Sequence, residues 1–432
     1  MKNNIQRASQ NFFLALFLII FAIIFSFWTN SYGDVFEDGI KYANYDGTEI
    51  TLEEYDLILP RPKIDDQADT GRCWIFATTA AIEASLKKKG ILINISESYI
   101  YYWALYHKFA DSLNRIIYKE DFAEAFAIYD EGDGVYNPDD YTINFVQDGG
   151  VYQTAMGLIA EYGFVQEEEY PETATSEYSE YVTTLLGYLL MDAKQEFRKM
   201  YDSGSVNESE LIDYVYKHLD KAQALLDKSM GKVPNSTIFK GKETSPKELA
   251  ESLINIGEMT YIDTFNDPRY PTYYFNKLIF SGNGNSTIES PIYELNLSFD
   301  NFINSIRNAL NNGVYVPLGV SMRTEFIHTK TGVMSMKAFD YSSLVDFPKI
   351  TRTEALSTGI SREGMHAMLA VGYKMNAKGN VEWILMQNSW GSDSGMNGFY
   401  HMSVKDYANL FLIDATIPFE FLPEELREKL SQ

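Results

Sequence analysis

Residues 74–89, WIFATTAAIEASLKKK, place apolar and small residues at a helical period, gather three lysines in the last turn and stop before Gly90. That pattern predicts a helix whose positive end lies at Cys73. A second helix is expected after Ser96-Glu97-Ser98, where serine can cap and an acid sits near the helix start, running through YIYYWALYHKFADSL. An acidic loop with glycine and aspartate follows, from about residue 129 to 150. From 153 to about 312 helical periods dominate: TAMGLIAEYG, TTLLGYLLMDAKQEFRKMY, ELIDYVYKHLDKAQALLDKS and a capping box at Ser245-Pro246-Lys247-Glu248 with proline at the first helical position. The Glu167-Glu168-Glu169 run reads as a solvated face. Beyond Gly313 the period shortens to strands, VYVPLGVSM, HAMLAVGYKM, VEWILMQ and GFYHMSV, separated by glycine and asparagine turns. A front two-thirds that is mostly α and a last third that is mostly β predict an α+β fold, and no internal repeat is visible.

Ahead of this, Lys2 and Arg7 precede an apolar run at 12–28, FFLALFLIIFAIIFSFW, with Ser31 and Gly33 after it. The arrangement is that of an export signal cut before Asp34, while seventeen residues also suffice for an uncleaved membrane anchor. Either route places the protein outside the cytoplasm: secreted, periplasmic or surface-exposed. The expected organisation is a signal or anchor at 1–33, an N-terminal extension at 34–58 ending near Leu59-Pro60-Arg61-Pro62, a main domain at 59–421, and a tail at 422–432 that reads as a short charged helix. With 45% hydrophobic and 15% aromatic residues the chain folds. Its 60 acidic against 36 basic residues argue against nucleic acid or an anionic lipid surface as a partner.

Cys73 is the one cysteine of the chain, so no internal disulfide can form. At a helix N-terminus a thiol pKa drops below its ordinary value of about 8.5, which suits chemistry; the bland alternative is a small buried hydrophobe. Asn376-Ala377-Lys378-Gly379 is a short turn between two strand-like runs, and folding about position 377 sets His366 opposite Asn388. Facing side chains then lie about 5 Å apart at Cβ. The asparagine oxygen can accept from one ring nitrogen and leave the other free to take a thiol proton. Cys73, His366 and Asn388 thus fit nucleophile, base and orienting group. His107, His218, His328 and His401 have no comparable setting and receive no role. No zinc-ligand spacing is present, and no cofactor is expected.

Four motifs, in order, carry a resemblance: Gln67 six positions before Cys73, Gly71-Arg72-Cys73-Trp74-Ile75-Phe76, Gly364-Met365-His366-Ala367-Met368 and Gln387-Asn388-Ser389-Trp390-Gly391. They resemble the papain superfamily of cysteine peptidases, most closely its bleomycin hydrolase-like branch. The resemblance implies a two-lobed fold, with a mostly helical N-terminal lobe, a β-rich C-terminal lobe and the active site in the cleft between them. It implies that Gln67 helps the Cys73 backbone N–H form an oxyanion hole, that Trp390 shields the His366–Asn388 contact and that Trp74 supports the site. Gly149 and Gly150 would let a substrate backbone lie against the enzyme. The 293 positions from Cys73 to His366 imply a helical insertion at about 165–300, as in that branch. Ser98 stands where the family has glutamine, the family's disulfide cysteines are missing, and the stretch before Cys73 leaves no room for a long propeptide.

The expected activity is peptide-bond hydrolysis of a peptide or protein substrate through a Cys73 thioester. Two alternatives are acyl transfer to an amine, as in transglutaminase-like chemistry, and a peptide-binding surface protein without turnover. Relatives of the branch resemble aminopeptidases whose tail enters the cleft, and some form rings; the charged tail here leaves the mode of cleavage and the oligomeric state open.

Overall fold

Outside residues 237–296, helix and strand boundaries follow the apolar periods closely. The computed structural model describes residues 45–118, 146–204, 206–254, 261–272, 275–280, 290–341, 349–362, 364–424 and 427–428. The apolar run at 12–28, most of the acidic loop and the end of the tail lie outside the described residues. Among the described residues no helix is long and apolar enough to cross a membrane. The chain divides into a small unit, residues 1–48 with 337–345, and a large unit holding the rest. Within the small unit the Tyr45 and Phe339 rings lie 5.3 Å apart, and the Asp46 N–H donates to the Ala338 carbonyl at 2.9 Å. Every expected site residue belongs to the large unit.

The helical side of the large unit begins with α1 (Cys73–Lys88), nearly all of whose apolar positions are buried. α2 (Glu97–Tyr118) starts after Ser96, whose hydroxyl accepts the Tyr99 N–H at 3.1 Å as a cap. α3 (Tyr152–Tyr162) ends at Gly163, whose φ of 74° a side chain would resist. The insertion adds α4 (Ala174–Glu177), α5 (Glu180–Asp202), α6 (Glu208–Met230) and α7 (Pro246–Leu253). α6 and α7 each open with a complete capping box, at Asn207/Glu210 and Ser245/Glu248. These helices share one apolar core with α1 and α2, running from Trp74 to Ala250, so the insertion is an enlargement of the helical lobe rather than a separate body.

The other side is a sheet built on β7 (Val316–Ser321), β10 (Met365–Met375), β11 (Val381–Gln387), β12 (Phe399–Ser403) and β13 (Leu412–Pro418), with the short strands β9 (Val333–Met334) and β8 (Ile327–His328) beyond β12. β10 lies between β7 and β11, and the short lead-in strand β1 (Leu57–Ile58) also pairs with it. α8 (Phe299–Asn311), capped by Ser298, packs against the sheet. Behind β13 the sheet continues through β4 (Tyr261–Phe265), β6 (Ser290–Asn296) and β5 (Phe275–Phe280). These strands correct the expectation of helix up to 312. β4 pairs with β13, some 150 positions downstream, and β6 and then β5 add on to β4, so pairing that no local period reveals decides their state. A small hairpin of β2 (Thr237–Phe239) and β3 (Lys242–Thr244) interrupts the insertion as well.

Two further readings change. The β10–β11 register pairs Leu369 with Gln387, so the hairpin centre falls near 378 rather than 377 and His366 pairs in the ladder with Val320 of β7. The cause is a wider loop, closed by the Asn376 N–H on the Asn380 carbonyl at 2.9 Å, together with a bulge between Ala370 and Gly372. The glutamate run is no uniform solvated face. Glu167 is half-buried and accepts the Glu172 N–H at 3.1 Å, and Glu169 accepts the Ile238 N–H at 2.8 Å, fastening β2.

Candidate active site

Helix α1 packs across β10, which brings its first residue, Cys73, to the strand that carries His366. The Ala367 backbone N–H, one residue past His366, acts on the Cys73 thiol from that strand and favours its charged form. His366 is buried, and its Nε2 lies 2.6 Å from Asn388 Oδ1. That oxygen also accepts the Ser389 backbone N–H at 2.8 Å, and a backbone N–H can only donate. The facing atom of Asn388 is therefore oxygen, Nε2 carries the ring proton, and Nδ1 keeps its lone pair. The contact predicted from the hairpin is present, made just past the end of β11 instead of across the ladder.

The Trp390 ring covers this pair, 4.6 Å from the imidazole at 35°, and stands edge-on to Tyr400 at 6.3 Å. Segments 65–67 and 389–391 run side by side: the Gln67 N–H donates to the Ser389 carbonyl at 2.8 Å and the Gly391 N–H to the Asp65 carbonyl at 3.1 Å. The buried Gln67 amide receives the Ser389 hydroxyl on Oε1 at 2.6 Å and donates from Nε2 to the Thr70 carbonyl at 2.6 Å. Nε2 carries a second N–H beyond that bond. Gln67, Ser389, His366, Asn388 and Trp390 thus form one assembly beside Cys73.

The expected glycine pair splits. A side chain on Gly150 would come within 2.6 Å of the Trp74 ring, whereas Gly149 faces open space. Trp74 itself is buried and donates from Nε1 to the Asp148 carbonyl at 3.0 Å, so it holds the glycine segment against α1.

Burial shapes the protonation states. It pushes the Cys73 thiol up, against the lowering effect of backbone N–H donors from Ala367 and Trp74, with the Asp148 charge adding to the rise. The expected drop at the helix end is therefore reversed: desolvation outweighs the donors. Burial likewise pushes His366 down to about 4, although the Asn388 bond favours its charged form. Each group alone prefers neutrality, while moving a proton from sulfur to imidazole leaves the net charge of the pair unchanged.

The Peptidase C1-like family pattern matches residues 40–432. The chain belongs to the Peptidase C1-like family. It is a cysteine-type peptidase, papain-like and of the bleomycin hydrolase-like kind, and its substrate is a peptide or protein. Aminopeptidase C of Lactobacillus helveticus is 26% identical over 412 residues, covering 91% of this chain and 88% of that protein. Cysteine proteinase 1, mitochondrial, of Saccharomyces cerevisiae is 23% identical over 401 residues, covering 85% and 77%. The crystal structure of PepW from Lactobacillus rhamnosis superposes with a TM-score of 0.74 at 20% identity, covering 93% of this chain and 91% of that one, which bears out the α+β fold.

Sequence reasoning quoted Arg72 within a motif and gave it no role. The structure buries it completely and pairs it with Glu172, whose oxygens lie 2.9 and 3.0 Å from Nη1. A charged residue flanked by Gly71 and Trp74-Ile75-Phe76 is a signal for a buried ion pair. Nothing in the pattern marks Glu172, a hundred positions away, as its partner.

Proposed function

We propose that this C1-like peptidase cleaves peptide bonds through an acyl-enzyme on Cys73, with His366 as the general base and later the general acid. The observation that carries the reading is the fixed tautomer: Asn388 Oδ1 holds Nε2–H, leaving Nδ1 as the proton acceptor on β10, the strand that α1 packs across with Cys73 at its first residue. Cys73 gives its proton to His366 as sulfur attacks the carbonyl, and the imidazolium returns it to the departing amine. Water then hydrolyses the thioester. The Cys73 backbone N–H and the second Gln67 Nε2–H supply the two donors for the oxyanion. Gly149 and Gly150 form the backbone rail against which an extended substrate lies.

The relatives named aminopeptidase C favour substrates with a free α-amino terminus. Purified protein assayed on peptides of equal length, free or N-acetylated, tests this directly. Cleavage confined to the free series supports stepwise removal from the N-terminus, and equal cleavage of both series overturns it. An epoxide reagent selective for papain-like thiols should label wild type and fail on His366→Ala; equal labelling of both would sink the assigned base.

We further propose export, on the strength of the charged start and apolar run at 12–28. N-terminal sequencing of protein recovered from the cell exterior should begin near Asp34 for a cleaved signal.

A further inference from the structure

The loop from Gln67 to Arg72 is tied from behind by residues of the insertion. Arg72 Nη1 donates to both Glu172 carboxylate oxygens, Nε to Thr70 Oγ1 at 3.3 Å and Nη2 to the Gln67 carbonyl at 3.4 Å. The Phe76 and Tyr101 rings lie 5.2 and 5.3 Å from the guanidinium carbon. Thr70 closes the loop on itself: its hydroxyl donates to the Gln67 carbonyl at 2.6 Å, and its own carbonyl accepts Gln67 Nε2 at 2.6 Å. Glu172 is held in turn by the buried Ser176 hydroxyl at 2.6 Å.

A second carboxylate repeats the arrangement. Asp148 accepts the Gly71 N–H at 2.6 Å and the hydroxyl of buried Ser179, and it fills the space a side chain on Gly71 would need. The Asp69 N–H donates to the Glu177 carbonyl at 3.2 Å. Glu172, Ser176, Glu177 and Ser179 are all within eight consecutive positions around α4. The segment thus reaches the loop through Glu172 on Arg72, Glu177 on Asp69 and Ser179 on the Asp148 that holds Gly71.

We infer that Glu172, acting through Arg72, is a positioning residue that sets where the Gln67 carboxamide and the Cys73 backbone N–H meet the oxygen of the scissile carbonyl. The inference rests on the peptidase reading above and deepens it, because it makes the insertion part of the catalytic support. A planar guanidinium bound by both oxygens of one carboxylate and two acceptors in the loop has a single orientation available. Preorganised donors act only when they sit at the position the charged oxygen will occupy, and a misplacement of about 1 Å costs on the order of a hundredfold in rate.

The test uses the full chain as wild type, Glu172→Gln, Ser176→Ala and Arg72→Lys, each checked for an intact unfolding transition. Three readouts are compared: kcat and KM on a peptide amide, the rate of Cys73 alkylation by iodoacetamide, and inhibition by a peptide aldehyde. Alkylation forms a C–S bond and expels iodide, with no oxyanion. The aldehyde adds the thiol to form a hemithioacetal, whose oxygen enters the hole. Glu172→Gln should lower kcat by about tenfold or more, leave KM and the alkylation rate within about threefold and weaken aldehyde inhibition by a factor similar to the loss in kcat/KM. Ser176→Ala, which keeps the ion pair, should show a smaller loss in the same direction, and Arg72→Lys a loss at least as large as Glu172→Gln because the fork is gone.

Unchanged kcat in both Glu172→Gln and Ser176→Ala overturns the inference. So does alkylation that falls in step with hydrolysis, since that means the sulfur itself was displaced. A wild type that alkylates yet hydrolyses no peptide defeats the peptidase reading, which is a different result from an active wild type with indifferent variants.

Discussion

Asn388 decides which imidazole nitrogen is available for chemistry, because its oxygen receives two donors and one of them belongs to the backbone. Replacing it with alanine frees the ring to turn and to change tautomer, and kcat should fall by about tenfold to a hundredfold with the thiol still alkylated; steady-state kinetics beside iodoacetamide labelling measure both. Gln67→Ala removes one oxyanion donor and should cost about 2.7–4 kcal/mol of transition-state stabilisation, read from kcat/KM. The buried imidazole gives a pH prediction with a definite sign. Hydrolysis needs neutral Nδ1, and burial has pushed His366 down to about 4. Activity should therefore persist well below the usual histidine range and fall only as pH drops through about 4; an acid limb of kcat/KM at 6 or above would show that the ring is more solvated than this structure has it.

At the scale of elements, the seam between α1 and α2 holds carboxyl groups that resist ionising. Glu83 accepts the Ile95 N–H at 2.6 Å and Glu97 accepts the Thr79 hydroxyl at 2.6 Å. Burial pushes Glu83 up to about 8, raises Glu97 well above the usual carboxyl range with help from the Glu83 charge, and lifts nearby Glu167 to about 7. Asp65 adds repulsion in the same region, and Lys63 opposes it. Each raised carboxyl keeps its proton in the folded chain after the unfolded chain has lost it. Stability from these groups is therefore complete below about pH 4.5 and declines as pH rises toward 8, at no more than about 1.4 kcal/mol per pH unit for each group. Thermal unfolding followed from pH 7 to 8, above the range in which the buried histidines contribute, should show the midpoint falling, and Glu83→Gln should flatten the slope. A midpoint that climbs with pH over that range would contradict the burial of these acids. Gly150→Ala probes the packing of the glycine segment: its methyl group would meet the Trp74 ring and should destabilise the fold by about 1–3 kcal/mol, measured by denaturant unfolding.

Across the whole molecule, one arginine gathers chain segments that are remote in sequence. The Arg352 side chain opens the short helix Arg352–Ser357 and donates to the carbonyls of Asn266 at 2.6 Å, Asn409 at 3.0 Å and Leu412 at 2.8 Å. Burial pulls its pKa down to about 10, with the Asp267 charge opposing the fall. Arg352→Met strands three carbonyls that close β4 and the approach to β13, and should cost about 2–4 kcal/mol in unfolding free energy with the active-site thiol still titratable in the folded fraction. The same scale explains what the sequence hid. Asp263 and Thr416 meet across β4 and β13, where Thr416 donates to Asp263 at 2.5 Å, and this pairing turns 261–265 into sheet within a region whose local periods are helical.

The sequence by itself determined the helix that opens at Cys73, the capped helices of the insertion and the four strands around His366 and Asn388. All of these depend on neighbours within one or two turns or one short hairpin, where period, caps and turn residues act directly. Tertiary structure alone decided the shifted register beneath His366, the partners of Arg72 and Glu167, the added strands at 261–296 and the direction in which Cys73 titrates. Each of those is set by desolvation or by a bond between positions remote along the chain, and neither exists until the chain has closed and water has left the contact.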